Sequence, residues 1–493
     1  MLLRILSSTL LFLACCAAMA APAGAIPPEV EAALARAKIP REAVSLLVLD
    51  AEADNATPRL SHRAQVAMNP ASVMKLTTTF AALDLLGPTY TWSTPVYVDG
   101  PVRDGTLTGN VYIKGQGDPK LVLERVWLLL RRLQGMGIKQ IAGDIVLDRI
   151  AFEVPDTDPA TFDGEPLRPY NAAPDALLIN FKAVVMTFAP ERSGNTALVQ
   201  FDPPLAGVQM QASVPLSNAD CGDYRGALKA DFSDARHIRF GGSYAASCGE
   251  KVWPVAYADP RSYGVRAVQG MWLDMGGKLS GSVRYGNVPA TLAAGKPALE
   301  ATSTPLAEII RDINKYSNNV MAQQVFLTLG RVMPLAAQGT PGDRATGAAP
   351  TLPVGSFAAS RAVLQHWWKE HISADEMPVW DNGSGLSRQE RISAQGLARL
   401  LQVAWRSPYM SELMSSLPIT GVDGTLKRFK SKAVGNAHLK SGTLSNALAR
   451  AGYVDGASGK RYVLVALINH ANANTEAARA VMETLVDWAA KDN

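Results

Sequence analysis

The spacing of apolar and polar positions divides the chain into three textures. In the first, 27–37 (PPEVEAALARA) has helical spacing, and 43–50 (AVSLLVLD) is a continuous apolar run closed by an acid. These predict a short helix and a buried strand. A second strand is expected before Asn69. The pattern then turns helical again, because Leu76, Phe80 and Leu83 recur on one face with Val73, Ala81 and Leu86 around them. Asn69 is a good N-cap, Pro70 suits a first helical position and Gly87 a helix end. A helix running from Pro70 through Leu86, buried on most sides, is expected.

From about 88 to 300 the texture changes. TWSTPVYV, GNVYIKG, IAGDIVLD, ALVQFDP, HIRFGGSY and KLSGSVRYG are short strand-like runs separated by Gly, Pro and Asp turns. One helix, LVLERVWLLLRRLQ, interrupts them, and its Trp127 and leucines read as core. Helical spacing returns at TPLAEIIRDINKYSNNVMAQQVFLTL. Residues 334–355, rich in Ala, Gly, Pro and Thr, read as a loop. Helices are expected at 356–371, with Trp367 and Trp368 as core residues, and at 393–405. Strands follow near 435–442, 446–454 and 461–469, then a closing amphipathic helix, TEAARAVMETLVDWAAK. Strands near both ends with helices between predict an α+β domain made of 26–87 and 301–493, its sheet completed by the two ends of the chain. The β-rich stretch 88–300 is its insert, as one or two subdomains.

Composition narrows the compartment more than the fold. A hydrophobic share of 47% and a charged share of 19% over 493 residues describe a multidomain globular chain. The net charge of +4 comes without a basic run, so no nucleic-acid partner is expected. Arg4 is the only charge before Glu29, Leu10 to Ala21 is apolar, and Ala23-Gly24-Ala25 offers a small-x-small cleavage site. Residues 1–25 therefore read as a cleavable signal peptide, and the periplasm as the destination. Neither Cys15 nor Cys16 follows a convincing lipobox. Cys221 and Cys248 remain, and in an oxidising compartment they are expected to pair. Closing that loop contributes about 3.5 kcal/mol in the chain-entropy view. The six histidines are scattered, and His366 and His371 lack the spacing of two ligands on one helix face. No metal and no cofactor are expected. Peripheral membrane contact and a homodimer stay open.

Candidate chemistry begins at Ser72 and Lys75, the only S-x-x-K in the chain. Residues three apart share a helix face, so a hydroxyl and an amine can touch, and such a pair makes a serine nucleophilic without histidine. Free N–H groups of the first turn favour negative charge developing there. Tyr316-Ser317-Asn318-Asn319 is a second candidate: on a tight turn a hydroxyl can relay a proton while an amide orients the lysine. His438-Leu439-Lys440-Ser441-Gly442-Thr443 is a third, a strand whose lysine supplies a fixed positive charge, with a hydroxyl donor for a carboxylate and a glycine that lets a substrate backbone approach. The amides of Ser72 and Thr443 are candidates for an oxyanion hole. Each pattern alone also fits an ordinary helix, turn or edge strand.

S-x-x-K, S-x-N and K-[ST]-G in that order resemble the penicillin-binding and serine β-lactamase superfamily. The long insert, DNGSGLSR (Asp381 to Arg388) and GVDGTL (Gly421 to Leu426) are similar to features of its class C low-molecular-mass members, the D-alanyl-D-alanine carboxypeptidase/endopeptidase group, peptidase family S13. The third motif here is K-S-G, which keeps the hydroxyl and loses a methyl. The second motif reads either as Tyr316-Ser317-Asn318 or as Ser317-Asn318-Asn319, and the surrounding texture favours the latter. No E-x-x-L-N is present; Glu165 and Asn171 are the nearest pair and have the wrong spacing.

The resemblance implies a transpeptidase-like fold and a nucleophilic Ser72 whose proton passes to Lys75. It implies that Ser317 and Asn319 shuttle protons and orient, while Lys440, Ser441, Gly442 and Thr443 bind the terminal carboxylate and substrate backbone. The implied partners are peptidoglycan peptides and β-lactam antibiotics, the latter acylating the same serine. Two alternatives remain: a β-lactamase or esterase of the same fold, and a non-catalytic peptidoglycan-binding scaffold.

Overall fold

The computed structural model describes residues 25–53, 57–191, 193–333 and 353–492. The expected leader, Ala25 excepted, and residues 334–352 of the expected loop lie outside the described residues. Five strands, β1 (Val44–Asp50), β2 (Leu60–His62), β3 (Ala437–Leu444), β4 (Ala447–Asp455) and β5 (Arg461–Asn469), form one antiparallel sheet in the order β2-β1-β5-β4-β3. Strands from both ends of the chain therefore lie side by side, Leu46 opposite Ala466 and Leu47 opposite Val465.

Helices cover both faces: α1 (Pro28–Ala37), α2 (Lys75–Leu86), α3 (Leu306–Tyr316), α4 (Asn319–Val332), α5 (Phe357–His371), α6 (Ala394–Arg406), α7 (Met410–Ser416) and α8 (Glu476–Ala490). The two-residue period of a strand explains the layering. Leu47 and Leu49 of β1, with Val463 and Val465 of β5, enter a core shared with Leu76 and Phe80 of α2, Phe326 of α4 and Leu397 of α6. Their neighbours Val44, Leu46, Leu464 and Ala466 point the other way, against Leu34 of α1 and Leu485 of α8. Trp367 and Trp368 are buried in the first of these cores.

Between α2 and α3 lies the β-rich region. One five-stranded sheet is built from Ser93–Val98, Val111–Lys114, Ile145–Asp148, Val283–Tyr285 and Leu299–Thr302. A second contains Ala183–Glu191, Thr196–Asp202 and Lys251–Ala256, and each has its own apolar core. The disulfide Cys221–Cys248 forms at the second core.

Several expectations are corrected. The helix expected from Pro70 is broken at its start: Ala71 adopts φ 47°, Ala71–Met74 is a 3₁₀ turn, and the α-helix begins at Lys75. Pro70, not Asn69, takes the cap position of that turn; Asn69 stands one residue before it, its Oδ1 accepting the Ala71 N–H at 2.8 Å. The helical stretch 304–329 divides where the tight turn was expected, at Ser317, which ends α3 in the left-handed conformation at φ 57°. Tyr263–Asp274 is a second long helix in the insert; its two glycines masked a face made by Tyr263, Ala267, Met271 and Trp272. Helix α7 was also not expected. Trp127 is about half exposed, while Leu129, Leu130 and Leu133 on the other side of that helix are the core residues.

Candidate active site

Three segments far apart in sequence converge where the edge strand β3 meets the turn before α2. Ser72 lies on that 3₁₀ turn, and Lys75 is the first residue of α2 and wholly buried. Lys75 Nζ donates to Ser72 Oγ at 3.0 Å and to Asn319 Oδ1 at 2.6 Å. It also donates to the carbonyl of Ser384. Burial pushes the Lys75 amine down to about 7, against a smaller opposing pull from Glu390. A fully desolvated ammonium is costly, so the neutral amine is available near neutral pH.

The left-handed Ser317 turns the chain sharply between α3 and α4, and this sets the roles of the two asparagines. Asn318 is the N-cap of α4, accepting the Met321 N–H at 3.0 Å. Asn319 points at Lys75, and its amide nitrogen donates to the Tyr170 carbonyl at 3.3 Å. Tyr316 is exposed. The insert thus reaches the cluster through Tyr170.

On β3, Lys440 is wholly buried, and its Nζ donates to Ser317 Oγ at 3.0 Å and to the Ser441 carbonyl at 2.7 Å. Burial, then the nearby Lys75 and Arg450, hold Lys440 well below the usual lysine range. Its charge is therefore not fixed, as the sequence alone would have it; an incoming carboxylate favours the ammonium form. Ser441 shares a 2.6 Å hydrogen bond with Thr425 Oγ1, and Thr443 is exposed on the same strand. Gly442 has a second use beside the one expected. A Cβ there would stand 2.6 Å from the Pro70 carbonyl and 3.0 Å from the Ser72 amide nitrogen, so only glycine lets β3 lie against the Ser72 turn.

Two loops complete the surroundings, and here residue-by-residue reading assigned no roles. The Asp381–Arg388 loop delivers the Ser384 carbonyl to Lys75. Gly385, at φ 79°, would carry a Cβ 2.6 Å from the Ser72 Cα. Glu390, also wholly buried, accepts N–H groups from Asp381, Asn382 and Gly383 on one oxygen. Burial pushes its carboxyl up to about 7. The Gly421–Leu426 loop is pinned by Asp423, which pairs with the buried Lys315 at 2.6 Å, two residues before Ser317. The signal for both loops was present as glycine-rich motifs, but their buried polar partners come from distant segments. Beside the cluster opens a cleft of about 500 Å³ lined by Phe162, Tyr170, Gln323, Leu386 and Arg388.

Among the described residues, no group of three or more His, Cys, Asp or Glu is placed to hold a metal ion, and no helix is long and apolar enough to cross a membrane.

Comparison with known proteins gives matches along nearly the whole chain. Residues 27–492 match the model of the D-Ala-D-Ala carboxypeptidase 3 (S13) family. The D-alanyl-D-alanine carboxypeptidase of Actinomadura sp. (strain R39) is 27% identical over 411 residues, which are 79% of this chain and 71% of that protein. The D-alanyl-D-alanine carboxypeptidase DacB of Haemophilus influenzae is 24% identical over 406 residues, 82% of this chain and 80% of that one. The crystal structure of penicillin binding protein 4 (dacB) from Haemophilus influenzae superposes with a TM-score of 0.71 at 22% identity, covering 94% of this chain and all of that one.

Proposed function

The chain belongs to the D-Ala-D-Ala carboxypeptidase 3 (S13) family, and on that premise we propose that it removes the terminal D-alanine of peptidoglycan stem peptides through an acyl-enzyme on Ser72. The observation that carries this reading is a buried amine, poised near neutrality, within 3.0 Å of one serine hydroxyl. Ser72 Oγ attacks the carbonyl between the two D-alanines and its proton passes to Lys75 Nζ. The tetrahedral oxyanion is met by the amides of Ser72 and Thr443. Because Ser317 Oγ accepts from Lys440, its own proton is free to be donated to a substrate. Ser317 hands it to the departing amine and is reprotonated through the lysine pair. Water then attacks the Ser72 ester, giving up a proton to Lys75, which returns it to Ser72 Oγ as the acyl bond breaks and the shortened peptide leaves. Lys440 and Ser441 hold the substrate carboxylate, and Asn319 holds Lys75 and the peptide amide.

Penicillins acylate the same serine in this reading, and cross-linked peptides are cleaved by the same chemistry as D,D-endopeptidase substrates. Export through a cleaved leader at 1–25 places the enzyme in the periplasm, with peptidoglycan. The deciding experiment is gel detection with a fluorescent penicillin, wild type against Ser72→Ala, beside D-alanine release from a pentapeptide ending in D-Ala-D-Ala. Labelling of the variant, or no D-alanine released by the wild type, defeats the proposal. Rapid nitrocefin turnover would move it toward a β-lactamase. N-terminal sequencing of the exported protein tests the leader, and digestion of cross-linked muropeptides tests endopeptidase action.

A further inference from the structure

Glu390 is wholly buried and has no part in the mechanism above. Its Oε1 gathers three consecutive backbone N–H groups, those of Asp381 and Asn382 at 3.2 Å and of Gly383 at 2.9 Å. Its Oε2 is buried with no hydrogen-bond partner among the described residues. Leaving a buried carboxyl oxygen unpaired is expensive, so its retention asks for a reason. The bonded segment leads directly into Ser384, whose carbonyl accepts from Lys75 Nζ. The same loop is tied to α2 by Thr78 Oγ1, which donates to the Gly383 carbonyl at 2.7 Å.

We infer that Glu390 is a positioning residue for Lys75: it fixes the Asp381–Gly385 loop so that the Ser384 carbonyl aims the amine at Ser72, and its buried carboxyl shares the electrostatic environment of that amine. This rests on the reading of Lys75 as the base. The direction of the coupling is set by charge. A carboxylate favours the ammonium form of Lys75, whereas Lys440 opposes it. Asp381, on the same loop, acts against ionisation of Glu390. The arginines packed nearby donate to backbone carbonyls, Arg361 to that of Asp381 at 2.9 Å and Arg391 to that of Glu390 itself at 2.8 Å, bonds that leave each guanidinium its fixed charge. Lys75 is therefore the cation whose charge state Glu390 can influence most directly.

Glu390→Gln keeps an acceptor for the three N–H groups and removes the charge; Glu390→Ala removes both. The measurement is the second-order rate of penicillin acylation from pH 5 to 9, with thermal melting as the control for folding. For Glu390→Gln the midpoint of the acid limb is expected to move to lower pH by about half a unit, because from about pH 7 upward, where the Glu390 carboxyl ionises, the amine loses a partner that favours its charged form. For Glu390→Ala the rate is expected to fall about tenfold or more at every pH, as the Ser384 carbonyl is released. An acid limb at the wild-type position in a folded Glu390→Gln protein overturns the inference, whatever the alanine variant does. A uniform loss of rate with an unmoved limb also overturns it, leaving only loop support. If the wild type itself is not acylated, the Ser72 reading fails first, and the two failures are distinguishable.

Discussion

Lys75 Nζ stands 3.0 Å from Ser72 Oγ at the end of a helix that buries the amine completely. The cost of burying the ammonium lowers its pKa to about 7, which converts an ordinary lysine into a usable base. Protonation below that value removes the base. Acylation should therefore slow about tenfold for each pH unit below 7 and level off above it. Stopped-flow acylation across pH 5 to 9 checks this. A rate already flat from pH 5 upward would mean that some other group takes the Ser72 proton.

The two asparagines of the Ser317 turn make separable predictions. Asn319 touches Lys75, while Asn318 caps α4. Asn319→Ala should lower acylation about 100-fold with a modest change in melting. Asn318→Ala should cost about 1 kcal/mol of stability through the lost cap and leave acylation close to wild type. Melting curves and acylation rates on both variants separate the two, and the reverse pattern would favour reading the motif as Tyr316-Ser317-Asn318.

Gly442 is predicted to be intolerant for a local reason. A methyl there meets the Pro70 carbonyl at 2.6 Å and the Ser72 amide nitrogen at 3.0 Å, both backbone atoms that cannot swing aside. Ala71, at φ 47°, already holds the turn in a sparsely populated conformation, so displacement is taken up where Ser72 sits. Gly442→Ala should reduce acylation about 100-fold, more than its effect on melting would suggest, since a shift of about 1 Å in a nucleophile is enough. Near-normal acylation would show that β3 is free to move back.

Much of this was legible along the chain, and the omissions share one physical cause. The terminal strands showed because both sheet faces are covered and their residues are apolar throughout, as in β5, Arg461–Asn469. Ser72 and Lys75 were legible because a three-residue spacing on a helix implies proximity, whereas Ser317 and Lys440 were tied to them only by the order of the three motifs and the resemblance it carries. Glu390, Ser384, Thr425 and Tyr170 were not legible, because each meets the cluster only through contacts between distant segments. The helix Tyr263–Asp274 hid behind Gly264 and Gly270; the Pro204 carbonyl would lie 2.1 Å from a Cβ at Gly270, so close packing chose a residue that local propensity disfavours.

The Lys315–Asp423 pair joins two of these distant segments and carries a stability prediction of definite sign. Lys315 is nearly buried, its partner about a third exposed, and Asp423 Oδ1 also accepts the Ile419 N–H at 2.8 Å. Burial works to raise the Asp423 carboxyl, but the bonds from Lys315 and Ile419 outweigh it and hold it below the usual carboxylate range. A group depressed in the folded state contributes stability that is fully present above its unfolded value and disappears as pH falls through the folded one. Asp423→Asn should thus destabilise the protein near neutral pH, by about 2 kcal/mol, less than for a fully buried pair because one partner is solvated. It should also flatten the loss of melting temperature on acidification. Because Lys315 immediately precedes the Ser317 turn, and the Asp423 loop carries Thr425 against Ser441, acylation should fall as well. A variant with wild-type melting from pH 4 to 8 would show that the pair contributes nothing to holding the two loops together.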